Sequence, residues 1–140
     1  MRKVVVTVVG TQTDAGGEEH RIEFMTVGSR QDRDGVSYIT YPESEITGME
    51  GTTTLLKLYP DRLILVRMGS VELKQEFFPG LKSYCLYITP YGSLKMAVST
   101  RHFAITAEGG KEAVNAGYDL EIDGRWQSYN TLAVEIREEE

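Results

Sequence analysis

The residue with the greatest chemical capacity in this chain stands in an apolar setting. In LILVRMGS, Leu63–Ser70, Arg67 follows four apolar residues in a pattern that suits a β-strand. A guanidinium stays protonated, so taking it out of water costs on the order of several kcal/mol unless a carboxylate or several carbonyls meet it. Just upstream, Pro60-Asp61 suits the centre of a turn, since proline presets φ and aspartate bonds nearby backbone. Antiparallel counting about that turn pairs Leu58 with Leu63, Leu56 with Leu65 and Thr54 with Arg67. Arg67 then shares a face with four leucines and needs a partner. Glu43, in phase with Tyr41 and Ile39, is the first candidate. Glu72 and Glu76 rank lower because they alternate with Val71, Leu73 and Phe77.

Two readings of such a pair stand side by side. One is structural: an internal Arg–Glu pair that sets strand register, or an arginine whose long stem reaches solvent at a rim. The other is a cation that holds the carboxylate or phosphate of a small ligand. On the second reading the binding set is Arg67, Glu43, Tyr41, Tyr118 and Gln75. Tyrosines suit cavity walls through their apolar area and single polar end, but the eight tyrosines here also simply suit strands.

The remaining reactive side chains give weaker patterns. His20 and His102 have no Cys or carboxylate at metal-ligand spacing, so no metal site is expected. A haem barrel would need one buried histidine, and His102 serves only if no bulge follows Thr100. Cys85 alternates with Tyr84, Leu86 and Ile88, which points it outward. Glu43 and Glu45 would lie about 7 Å apart on one strand face, a spacing that suits acid/base work or a solvated strand end. Gly48 and Gly51 mark a turn and lack the setting of a phosphate loop.

The elements that must position these groups are strands. Period-2 alternation dominates and no long window has apolar residues at helical spacing. KVVVTVVGT puts Val4, Val6 and Val8 on one face, RIEFMTVG puts Ile22 and Phe24 on one face, and SVELKQEFF keeps Val71, Leu73, Gln75 and Phe77 in phase. KSYCLYIT aligns Tyr84, Leu86 and Ile88; LKMAVSTRHFAI aligns Leu94, Met96, Val98 and Thr100. EGGKEAVNAG reads as a loop or ragged strand start, and the end of the chain as an Asp-Gly-centred hairpin with Leu132, Val134 and Ile136 facing in. Eight to ten strands joined by short turns, with no helix to cover a flat sheet, close most easily into an up-and-down barrel, the first strand pairing with the last. A two-sheet sandwich is the alternative.

Composition narrows the class. A chain of 140 residues is long enough for one domain with a core, taken as 1–140. The net charge of −6 with no segregated basic face argues against nucleic acid and anionic membranes. Apolar runs are far too short to cross a bilayer as helices. The start, MRKVVVTVVG, fails as a signal peptide because Thr7 interrupts it and no small-residue cleavage site follows. With one cysteine, the expected compartment is the cytoplasm.

Five segments in this order carry a resemblance: YITYPES with Gly48 after it, LVRMG at 65–69, LKQEFFPG at 73–80, TPYG at 89–92 followed by LKMAVST, and AGYDLEI at 116–122. The chain resembles the DUF1934 family, bacterial β-barrel proteins without an assigned activity. The resemblance implies a calycin-like, lipocalin-type antiparallel barrel and no catalytic function. The Gly/Ala-rich 107–117 segment has no clear register within it.

Three functional readings follow. The first is a barrel that binds a small amphipathic or anionic molecule inside, with no cofactor. The second is a structural or interaction module, a homodimer formed by strand pairing or an apolar outer face. The third and weakest is a small enzyme that orients a carboxylate substrate with Tyr, Arg and Glu; it rests on fold-level analogy.

Overall fold

The computed structural model describes residues 1–139. Among them are ten strands: β1 Arg2–Asp14, β2 Glu19–Arg33, β3 Val36–Pro42, β4 Thr52–Leu58, β5 Leu63–Gly69, β6 Leu73–Phe77, β7 Lys82–Thr89, β8 Gly92–Glu108, β9 Lys111–Ile122 and β10 Arg125–Glu138. All pair antiparallel in the order β6-β5-β4-β3-β2-β1-β10-β9-β8-β7. Each strand from β2 to β10 therefore neighbours its predecessor in the chain, except β7, which lies at the opposite end of the order from β6, and the first strand meets the last. β1 lies against β10 over its length, from Val4 opposite Glu138 to Asp14 opposite Ser128. The result is a nearly closed up-and-down barrel. Its seam, between β6 and β7, is joined by one bridge in which Glu72 and Ile88 exchange backbone hydrogen bonds of 2.9 Å. No described helix is long and apolar enough to cross a membrane.

The hairpin around Pro60-Asp61 has the register that counting requires: Leu58 faces Leu63, Leu56 faces Leu65, and Thr54 faces Arg67. The inward series fill one half of the barrel with Val4, Val6, Ile39, Leu56, Leu58, Leu63, Leu65, Phe77, Val98, Val114, Val134 and Ile136, all buried. Each such side chain contributes about 1.5–3 kcal/mol when fully covered. Toward the other end the inward positions turn polar, and there the site lies.

Three expectations are corrected. On β7 the phase is reversed: Cys85 faces Met96 and Ser83 faces Val98 across the ladder, so these share the covered side. Tyr84 (76% exposed), Leu86 and Ile88 point out to solvent. Cys85 is half-buried, and burial pushes its thiol up from the ordinary cysteine range. Both alternating sets of β7 are part apolar, so only the register with β8 decides between them.

The segment expected as a loop or ragged strand start is a tight turn followed by a continuous strand. Gly109 and Gly110 have φ of 62° and 80°, the left-handed pair that a two-residue type I′ hairpin requires. β9 then runs unbroken beside both β8 and β10. Finally, Glu43 and Glu45 do not share a strand face. β3 ends at Pro42, and although the Glu43 N–H still donates to Thr52 O at 2.8 Å, the chain then coils through 44–51, leaving Glu45 exposed.

Two β-bulges shape the polar end. One interrupts the β8–β9 ladder between Thr100 and His102, the other the β9–β10 ladder between Trp126 and Ser128. A bulge adds one residue and so switches which later side chains face in. Thr100 stays buried, while His102 is exposed on the outer surface, its ring against Gly117. The haem reading required that no bulge intervene, and one does.

Candidate functional site

One row across four strands positions the central group. Tyr41 on β3 lies opposite Thr54 on β4, Thr54 opposite Arg67 on β5, and Arg67 opposite Leu73 on β6. Glu43, just past β3, reaches the same row. Its Oε1 accepts a 2.5 Å hydrogen bond from Thr54 Oγ1 and stands 3.7 Å from Arg67 Nε. The second contact is within ion-pairing reach but beyond a hydrogen bond, so Arg67 Nε–H has no acceptor. The Glu43 side chain is 1% exposed and that of Arg67 20%. The pair expected from the sequence therefore forms, with the carboxylate deep and the guanidinium at the margin of the interior.

Arg67 also lines a cavity of about 280 Å³ whose other walls come from β1, β2, β9 and β10. Val8, Ile22, Phe24 and Leu132 supply apolar surface there; Gln12, His20, Tyr118 and Asn130 supply polar groups. Arg67 lines this space with its side chain 20% exposed, while its Nε is covered and has no acceptor. The volume would hold about nine waters, or a compact molecule on the order of ten non-hydrogen atoms.

Tyr118 is flanked in the ladders by Thr100 on β8 and Asn130 on β10, and its ring packs on Phe77 with centroids 4.9 Å apart. Phe24 packs on Tyr41 at 6.1 Å. Burial raises the phenol of Tyr41 well above the ordinary tyrosine range; the Glu43 charge adds to this, and Arg67 and Thr54 oppose it. Burial likewise raises Tyr118, against the pull of Asn130 and Arg67. A phenol whose folded pKa exceeds its unfolded value of about 10 binds its proton more tightly when folded. It lowers stability once pH rises past that unfolded value. Alkaline difference spectroscopy is accordingly expected to show two of the eight tyrosines ionising only as the barrel unfolds. Smooth titration of all eight before unfolding would contradict the burial described.

Of the five candidate residues, Arg67 and Glu43 meet directly, Tyr41 stands in the same row with Thr54 between, and Tyr118 lines the cavity with Arg67. Gln75 is buried beside Leu65 in the β5–β6 ladder, one inward position nearer the apolar half, and is not among the cavity's lining residues. Sequence reasoning did not single out Thr52, Thr54, Thr100, Ser128 or Asn130, which are all buried. For Thr54 a signal existed, since hairpin counting had already set it opposite Arg67.

Fold and site together define a small antiparallel β-barrel with an apolar half, a polar half and an arginine at the margin of a half-open cavity. The chain belongs to the DUF1934 family: the profile described as "Domain of unknown function (DUF1934)" matches residues 6–134. It is similar to the "Uncharacterized beta-barrel protein YwiB" of Bacillus subtilis (strain 168), with 22% identity over 118 residues, covering 84% of this chain and 82% of the relative. The crystal structure of the ywiB protein from Bacillus subtilis superposes with a TM-score of 0.86 at 19% identity, covering 99% of this chain and 93% of that one. This likeness establishes the fold.

Proposed function

We propose that the barrel binds a small amphipathic molecule in the cavity beside Arg67, in the manner of lipocalin-like carriers, with an acidic group of the ligand on the Arg67 Nη donors. One observation supports this above the others. Among the described residues six buried polar atoms have no hydrogen-bond partner within the protein, all at the polar end: Glu43 Oε2, Thr52 Oγ1, Thr100 Oγ1, Ser128 Oγ and, on residues lining the cavity, Arg67 Nε and Asn130 Oδ1. Buried polar groups normally find partners, because each one left bare costs about 1–3 kcal/mol. A barrel serving only as a filled structural core would gain by carrying apolar residues at these positions, as its other half does.

Titration calorimetry with 3-phenylpropanoate and carboxylates of similar size tests the reading. Saturable binding is expected to the wild type and not to Arg67→Met/Glu43→Gln, in which the charge pair is removed as a unit. Equal binding to both proteins, or none to either at millimolar acid, would overturn it.

A second reading, a homodimer, is favoured by β2. From Glu19 to Val27 this strand pairs with β1 on one side only, and Met25 and Val27 are exposed beside its free edge. Such an edge is a template for pairing with another chain. A strict monomer on sedimentation at micromolar concentration counts against this.

A further inference from the structure

We infer that the molecule held beside Arg67 carries a hydrogen-bond donor, a hydroxyl or an amine, in addition to its acidic group; this rests on the proposed ligand-binding function. The chemistry of each bare atom limits the partner it can take. Arg67 offers only donors, so it takes the acid. Of the two bare acceptors, Glu43 Oε2 lies off the cavity, whereas Asn130 lines it; the Asn130 amide meets the Tyr118 phenol, and its Oδ1 makes no hydrogen bond within the protein. Asn130 lines the cavity, is only 8% exposed, and lies opposite Tyr118 on β9 and Gln12 on β1. Tyr118 and Leu132 flank it in the wall, so an acid with a purely apolar body would cover the Asn130 oxygen and leave it unpaired.

A site that contains such an acceptor discriminates strongly against analogues that lack the matching donor. The apolar surface of Val8, Ile22, Phe24 and Leu132 is suited to the hydrocarbon or aromatic body. The class is therefore a small hydroxy- or amino-carboxylate with an apolar body.

Four probes of one skeleton separate the terms: 3-phenylpropanoate, 3-(4-hydroxyphenyl)propanoate, 3-phenyllactate and phenylalanine. At least one of the three substituted acids is expected to bind about tenfold or more tightly than 3-phenylpropanoate, the increment of one well-made hydrogen bond. That preference is expected to vanish in Asn130→Leu and in Asn130→Ala, each confirmed folded by its melting transition, so that in both variants the substituted acids bind within about threefold of 3-phenylpropanoate. Which probe gains distinguishes hydroxyl from amine. Equal binding of all four, or a preference that survives both Asn130 variants, overturns the inference and leaves the proposed function standing. No binding of any probe at millimolar concentration overturns both.

Discussion

Arg67→Met is expected to melt roughly 10 °C below the wild type, a loss of about 3 kcal/mol. The cost arises at Glu43 more than at the arginine. With the guanidinium gone, a carboxylate whose side chain is 1% exposed keeps a hydrogen bond from Thr54 and loses its paired cation. A buried charge stripped of its partner typically costs more than the pair contributed while intact. Glu43→Gln is expected to cost less, because Arg67 retains 20% of its side-chain exposure and can turn its donors to the cavity. Arg67→Met/Glu43→Gln is expected to recover more than half of the loss, since the two residues act as one unit. Thermal unfolding of the three variants measures all of this. A melting point for Arg67→Met within a few degrees of wild type would show that the pair carries no stability.

Gly69→Ala is expected to lower stability by about 2–3 kcal/mol, through backbone rather than packing. Gly69 closes β5 with φ at 125°, a conformation that L side chains rarely adopt. A Cβ there would collide with the Gly51 carbonyl oxygen and sit 3.1 Å from Thr52 Cα. Both obstacles are main chain, so no rotamer change relieves them. The displaced backbone is the ladder partner of Gly69, two residues from Thr54, so the Thr54–Glu43–Arg67 contacts would shift with it. Gly35→Ala separates the two components: its φ is 79° but nothing lies within 4 Å of an added Cβ. That control is expected to lose only about 1 kcal/mol from the left-handed backbone alone. Chemical denaturation of both variants gives the comparison, and equal losses would remove the steric argument at Gly69.

The Arg67–Glu43 pair was legible because it rests on local quantities. A Pro-Asp turn sets the β4–β5 register, and period-2 alternation carries that register to residue 67. Burial of a guanidinium then requires a carboxylate, and Glu43 was the one in phase with an apolar strand face. The cavity was not legible in this way. Its walls combine β1, β2, β5, β9 and β10, and which of their residues meet depends on the stagger of the closed sheet, which no single hairpin encodes. Asn130 is in phase with Leu132, Val134 and Ile136, so its inward side follows from alternation; that it shares a cavity wall with Arg67 does not.

The failures on β7 and at residues 107–117 have the same origin. In KSYCLYIT both alternating sets carry large residues, so the phase is decided by Met96 and Val98 across the ladder. At Gly109-Gly110 the glycines suit a loop and a type I′ turn equally, and pairing of the flanking residues from Glu108 opposite Lys111 onward selects the turn.

The amino-acid sequence alone determined the strand-rich fold, the hairpin order, the closure of first strand on last, and the buried charge pair, because these depend on alternation and turn chemistry over a few residues. The tertiary structure alone decided which polar side chains share the interior with Arg67, that a bulge after Thr100 sends His102 outward, and that the space beside Arg67 is lined by Asn130 as well as by the arginine. Those outcomes depend on contacts between strands distant in sequence, which exist only once the sheet has curled and closed.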